Sequence, residues 1–503
     1  MHNLFYEPLL IKMKKYIIAA LLLSGFFANA QNSLLNADFW KNTPDLKSVK
    51  TEITKGNNPA EANRGNHDVV SIAINNNAPF ETIVYLIDQP GNSVGKTTHD
   101  GRLYLHWAAS KGNAELVKYL LEKGSDINRT DDKGATAISF AAGNGQTNTA
   151  VYDLLFKAGN NPKQKFQNGA NLLLLSIAYD KDLKLAEYLS TKGLSLKDTD
   201  NFGNTAFDYA TKTGDVTLLK TLLQKGVKPT DKALIFASQG TRSVSNTLET
   251  YQYLVEDLKI NPNATGDNGE NVLHNLVKKN GQIQIINYFI GKGTNVNQAD
   301  KDGNIVLMEA VRNNDLSIVK LILDNTKNID QVNAKGTSAL AQAITYGTPE
   351  TIKFLLDNKA NAQITDKDGN NLAAYLVQSY QAPRQGQKSN FDEKLTIIKN
   401  AGVNFDVPQH EGNSLYHLAV VKNDVNLLKQ LESLNLNINA VNNEGISALH
   451  KAALVAKNDT VLKYLVANGA KKDVLTEFDE TAYDLAKENE TLLENNISLD
   501  FLK

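Results

Sequence analysis

The chain has 503 residues, none of them cysteine, and 53 lysines and arginines stand against 55 aspartates and glutamates. Without thiols there is no disulfide framework and no thiolate zinc site. With charge nearly balanced and no long basic run, the electrostatic footprint of a nucleic-acid binder is missing. The length exceeds one compact domain and points to several domains or to a repeated unit.

The first thirty residues predict an export signal. Lys14-Lys15 supply positive charge, Tyr16 to Phe27 an apolar run too short for a membrane span, and Ala28-Asn29-Ala30 a small-residue cleavage site. Cleavage after Ala30 is expected, with the mature chain beginning at Gln31. Met13 opens this pattern better than Met1, so residues 1–12 read as an upstream start artefact. Losing Glu7, Lys12, Lys14 and Lys15 moves the formal charge from −2 to roughly −4. No cysteine follows the apolar run, which excludes a bacterial lipoprotein anchor. The expected location is the periplasm or the exterior, with no membrane span after cleavage.

Residues 31–60 predict a capping half-repeat, with a first helix over Leu34 to Lys41 and a second over Asp45 to Ile53. Asn66 to Ala73 and Phe80 to Asp88 predict a degenerate helix pair. Between them and the next unit lies GNSVGKT, Gly91 to Thr97. It is one residue short of the phosphate-loop spacing and follows a helix rather than a buried strand, so nucleotide binding is not expected. Asp100 to Asn128 then reads DGRLYLHWAASKGNAELVKYLLEKGSDIN. It predicts a turn at Asp100-Gly101, a helix from Leu103 to Ser110, a turn at Gly112-Asn113, and a helix from Ala114 to Glu122. Leu116, Val117, Leu120 and Leu121 make one apolar stripe. Gly124 sits where a helix end needs positive φ. Two helices this short cannot cover their own stripe, so copies are required.

This stretch resembles the ankyrin repeat at Gly101, Leu105, His106, Ala108, Ala109, Gly112, Leu120, Leu121, Gly124, Asp126 and Asn128. It departs where Leu103 and Tyr104 replace the Thr-Pro pair. The turn glycine recurs at Gly134, Gly169, Gly203, Gly269, Gly303, Gly336, Gly369, Gly412 and Gly445, with a usual spacing of about 33–35 residues. A missing turn is placed near Thr230-Asp231, where Thr230 would cap the helix LIFAS, and Asp479 stands in for the last glycine. Seven residues on, a small side chain recurs: Ala108, Ala141, Ser176, Ala210, Ala310, Ala343, Ala419, Ala452 and Ala486, broken by Leu276 and Leu376. Two residues on come Thr136, Asn171, Thr205, Asn271, Ser338, Asn371, Ser414, Ser447 and Thr481, all able to cap a helix N-terminus. Closing glycines recur at Gly159, Gly193, Gly226, Gly293, Gly402 and Gly469, with Asn325 and Asn358 as substitutes at positive φ. The resemblance implies an all-α solenoid of about twelve helix-turn-helix units with short β-hairpin fingers over residues 61–474. Insertions fall near 239–247 and 378–390, and residues 475–503 form a C-terminal cap with a polar side.

The groups that resemble chemistry are explained by the repeat. Asp300/Asp302 and Asp366/Asp368 precede their glycine too closely for a calcium loop and read as turn residues. His106, His274, His417 and His450 fall five residues after the turn glycine. There the ankyrin histidine bonds backbone between units. His99 and His410 sit on finger tips. No nucleophile pair is apparent, and no catalytic residue, cofactor or metal site is expected.

The resemblance implies a protein-recognition scaffold, monomeric alone, using its fingers and first helices on a concave face. Large aromatics six residues after the glycine, Trp107, Phe140, Tyr209 and Tyr375, are candidate anchors. Arg102, Ser110, Lys111 and Phe202 complete the candidate patch. Trp107→Ala is expected to spare the helices and weaken partner capture. Packing of this column on the next helix is the competing expectation. Three roles remain open at this point. They are a binding scaffold such as a chaperone or immunity partner, an accessory factor protecting or assisting a co-exported enzyme, and an enzyme with its site in an inserted loop.

Overall fold

The computed structural model describes residues 32–241, 245–313, 315–383 and 389–503. The export segment Lys14 to Ala30 and parts of both insertions, 242–244 and 384–388, lie outside them. The chain divides into two compact units, Met1–Thr230 and Asp231–Lys503. Within each, short helical hairpins stack so that first helix meets first helix and second meets second.

The hairpin after Gly101 shows how the sequence builds a unit. Helix Tyr104–Ser110 is followed by Ala114–Glu122, whose first turn is capped by Asn113 accepting from the Leu116 amide at 3.0 Å. Leu116, Val117 and Leu120 are fully buried, while Leu121 is only half-buried and lies at the stripe's edge. Burying each such side chain is worth about 1.5–3 kcal/mol, and the neighbouring repeat supplies the surface that covers it. The small column is buried throughout, and Leu276 and Leu376 are buried with it.

All nine capping residues named from the sequence stand at helix N-caps. Thr230 does not. Lys232 takes the N-cap position of helix Ala233–Gln239, and Thr230 instead gives its amide and hydroxyl to the Asp208 carboxylate at 2.8 and 2.9 Å. The first expected helix is also split. Asn36 adopts an extended conformation and caps a new helix, Ala37–Trp40, after the 3-10 turn Ser33–Leu35. An asparagine that offers its side chain to nearby amides competes with continuation of the helix in this way.

The fingers hold isolated bridges and no strands among the described residues. Six fingers among these residues are turns closed by a single antiparallel bridge between residues six apart, as at Thr199↔Thr205 and Val332↔Ser338. The reason is local. The residue two after the glycine is already the helix N-cap, so the hairpin leg has no length left for a ladder. The turn is held by a side chain three before the glycine: Asn333 Oδ1 accepts from Lys335 N and Thr337 N, both at 3.0 Å. Among the described residues, six tips donate a backbone bond to the preceding finger, as in Ala334 N to Asp302 O at 2.7 Å and Lys367 N to Lys335 O at 2.9 Å.

Gly336 serves that approach directly. It holds φ +81°, and a Cβ there would meet the Lys367 amide at 2.7 Å. Among the closing positions, the expectation for asparagine fails. Asn358 keeps φ −91°, its amide side chain bonding back to the Phe354 carbonyl, and Lys359 one residue on takes φ 70°. Asn325 is likewise not among the residues at positive φ.

First-helix C-termini are closed by donors from the next repeat: Gln146 to Ser110 O, Thr213 to Ala178 O, Lys279 to Gln239 O, Asn313 to Val277 O and Asn489 to Ala453 O. These bonds use the free carbonyls that every helix end leaves. They also favour positive or donor groups at the negative end of the helix dipole.

Candidate protein-binding surface

The residue six after the turn glycine faces the finger, and its environment follows from the turn acid. In the turn before Gly134, Asp131 Oδ1 accepts from the Lys133 and Ala135 amides, each at 2.9 Å, leaving Oδ2 for a partner. Arg102 takes it at 2.9 Å through Nε and reaches Asp100 at 3.1 Å through Nη1. Its guanidinium lies 4.3 Å from the Phe140 ring centroid and 5.0 Å from that of Trp107, and the two rings meet edge-on at 5.6 Å. Trp107 gives its indole N–H to Thr98 Oγ1 at 2.8 Å. The same rule places the tyrosines. Tyr209 donates to Asp200 Oδ2 at 2.9 Å and Tyr375 to Asp366 Oδ2 at 2.8 Å, where burial raises the Tyr375 phenol to about 12.

Arg102, Trp107 and Tyr209 are therefore buried struts between helix and finger, with 6, 8 and 7 % exposure. The expectation that Trp107→Ala would spare the fold is corrected. Removing an indole at that burial, with its hydrogen bond, removes packing first. Phe140 and Tyr375 are half-buried, Ser110 is half-buried, Lys111 is exposed, and Phe202 is 50 % exposed on its finger tip. The structure thus brings Arg102, Trp107 and Phe140 into one cluster and leaves Lys111 and Phe202 as the open surface.

The histidine column is accounted for by both ring nitrogens. Nδ1 of His106, His274, His417 and His450 accepts the N-cap amide of its own helix at 3.1–3.2 Å. Nε2 then donates to a carbonyl of the following repeat: Ala135 at 3.1 Å, Asn304 at 3.2 Å, Ile446 at 2.7 Å and Val474 at 2.9 Å. Burial holds all four below the ordinary imidazole value. Ser139, Asp208 and Asp484 occupy the same position and accept the same amide at 2.8–3.1 Å. For Asp208, burial without a counter-charge lifts the carboxyl to about 6.

Lys96 of GNSVGKT is committed to protein. It bonds Ala60 O at 2.9 Å and Asn92 Oδ1 at 2.7 Å, and pairs with the buried Asp68 at 3.0 Å. Asp300 and Asp366 spend Oδ1 on the Asn304 and Asn370 amides at 2.7 and 2.8 Å. Among the described residues, no group of three or more His, Asp or Glu is arranged to hold a metal ion. No helix among them is long and apolar enough to cross a membrane.

Two features escape sequence reasoning. On the second helices, a tyrosine reaches an acid of the preceding repeat: Tyr119 to Asp88 at 3.2 Å, Tyr188 to Asp153 at 2.5 Å, Tyr288 to Glu256 at 3.1 Å, and Tyr464 to Glu432. The recurrence of tyrosine in these helices was the available signal. In the second unit, finger residues Val441, Leu475 and Phe478 are 49, 52 and 83 % exposed.

Comparison with known proteins gives consistent results. A family model described as "Ankyrin repeats (3 copies)" matches residues 70–165, 138–233, 234–333 and 307–383. The palmitoyltransferase AKR1 of Lachancea kluyveri is 32 % identical over 124 residues, 24 % of this chain and 17 % of that protein. The human transient receptor potential cation channel subfamily A member 1 is 29 % identical over 201 residues, 38 % of this chain and 17 % of that one. The chain thus spans only 17 % of the length of each of these two relatives. Among solved structures, the human ASB11 ankyrin repeat domain is 22 % identical and covers 44 % of this chain and 93 % of its own, with TM-score 0.37. The repeating turn, cap, histidine and small-residue columns, and a family model that spans more than half the sequence, make this chain a member of the ankyrin-repeat family, an all-helical solenoid of stacked hairpins.

Proposed function

We propose that the chain is an exported scaffold that recognises another protein and performs no chemistry of its own. One observation carries the reading: the groups most able to do chemistry are already consumed, the repeat histidines by bonds that join repeats and the turn acids by amides of their own turns. Ankyrin repeats support a protein-interaction role. Exposed Lys111 and Phe202, at a first-helix end and a finger tip, are the contact candidates, with half-buried Ser110, Phe140 and Tyr375 beside them. Buried Arg102, Trp107 and Tyr209 position that surface.

Export is supported by Lys14-Lys15, the apolar run to Phe27 and Ala28-Asn29-Ala30. The test is in-cell crosslinking of tagged full-length chain, followed by fractionation and mass spectrometry of both chain and adduct. A mature N-terminus at Gln31 outside the cytoplasm, with a specific adduct weakened by Lys111→Glu plus Phe202→Ser, supports the reading. Retention of residues 16–27 in the cytoplasm removes the export part. A well-folded chain with no adduct removes the scaffold part.

A further inference from the structure

The second unit carries a small cleft between two fingers, lined by Asp406, Ser414 and Asn437 as well as by apolar side chains. Buried Phe405 and Leu415 form its floor, half-buried Val407 and Leu436 its wall, and exposed Pro408 and Val441 its rim. The cavity measures about 80 Å³. That is roughly half of the ~150 Å³ void that accepts a benzene ring, so the end of a branched aliphatic side chain fits and an aromatic ring does not. Val441 sits four residues before its turn glycine, and Leu475 sits four before Asp479, the equivalent turn residue of the next finger. The exposed row therefore passes from one finger to the next, ending at Phe478 on the tip. Isolated exposed apolar residues need no explanation, but a row beside a cleft does.

The charge around this row is mostly negative, with Lys471 and Lys472 at the base of the last finger as the exceptions. Glu411, Glu444, Glu477 and Asp479 are exposed on the same three fingers. Lys472 is the single lysine or arginine among residues 405–413, 438–446 and 472–480. A mainly acidic rim around a partly apolar cleft steers cationic partners and penalises acidic ones. We propose that these three fingers bind a basic, aliphatic segment of a partner protein, with a leucine- or isoleucine-like side chain in the cleft and lysine or arginine side chains on the rim. This rests on the scaffold reading and names the partner chemistry for it.

The probe is a short fluorescent peptide of alternating lysine and leucine, titrated with the mature full-length chain and followed by anisotropy. Two control peptides replace lysine by glutamate or leucine by serine. The lysine–leucine peptide is expected to bind, and both controls to bind at least about tenfold more weakly. Val441→Ser and Leu475→Ser are each expected to weaken binding about tenfold with an unchanged melting curve, because both side chains are already half exposed. Glu411→Gln, Glu444→Gln and Glu477→Gln together should weaken it at low salt and converge with the parent chain near ~1 M salt. Equal binding of the glutamate–leucine peptide, or full binding by the serine variants, overturns the proposal. So does absence of binding by the lysine–leucine peptide. Because the peptide replaces the native partner, any of these outcomes leaves the crosslinking test of the scaffold reading standing on its own.

Discussion

A histidine that accepts an amide through Nδ1 and donates through Nε2 must be neutral. A proton added to Nδ1 faces an N–H at 3.1 Å in His417, so protonation breaks the helix cap. The ordinary imidazole value is 6.5, and burial keeps all four column histidines below it. The unfolded chain therefore binds more protons as pH falls through about 6.5, and the folded state loses stability until its own lower values are reached. Asp208 acts with the opposite sign. Its carboxyl is raised to about 6, so protonation favours the folded state as pH falls below that point. Burial also lowers His67 and raises the Asp180 carboxyl, so five imidazoles stand against two carboxyls, and the melting temperature should fall between about pH 7.5 and about pH 5, with a shallower fall in His417→Gln. Arg102 offers a second test. Arg102→Ala leaves Asp131, at 1 % side-chain exposure, without its counter-charge, and should cost about 3–5 kcal/mol in urea unfolding. Lys133→Ala removes a side chain that is 69 % exposed and should cost less than about 1 kcal/mol. Sequence alone places Arg102 on the surface, because arginine is seldom buried unless paired. Its pairing partner lies a full repeat away.

At the scale of helix and finger, local rules are the ones a sequence displays. Thr205 and Ser338 announce a helix start through a bond inside the same turn, and Gly124 announces a helix end through its own φ of +84°. The strands expected in the fingers fail because the cap residue and the strand leg claim the same position. Lys359 at positive φ was hidden because Asn358 is the better residue for it in isolation. The tyrosine–acid pairs were hidden because each joins residues 31–35 apart. That separation has meaning only once the repeats are stacked. Glycine at a finger tip serves two needs that substitution can separate. Gly369→Ala meets no atom within 4 Å and suffers only its φ of +83°, about 1–2 kcal/mol. Gly336→Ala has nearly the same φ and also collides with the next finger's backbone, adding about 1–3 kcal/mol. Equal urea midpoints for the two variants would show that finger contact contributes nothing.

In a stack of repeats, stability is close to a sum over units and nearest-neighbour interfaces, so damage stays near its source. Arg102→Ala lies in Met1–Thr230 and Gly336→Ala in Asp231–Lys503. Peptide-resolved hydrogen exchange should show the first accelerating exchange in the first unit and the second in the other. Uniform acceleration throughout would mean that the two unfold as one. The backbone bond that these finger tips give their predecessors carries one more implication. Asp302 accepts from Ala334, and Lys335 accepts from Lys367, with main-chain atoms in both cases. A joint made without side chains is indifferent to which neighbour supplies it. Excision of residues 304–336, or a tandem copy of them, sets an equivalent acceptor against an equivalent donor. Gene-level gain or loss of whole modules can then lengthen or shorten this array wherever the seam is a main-chain bond of this kind.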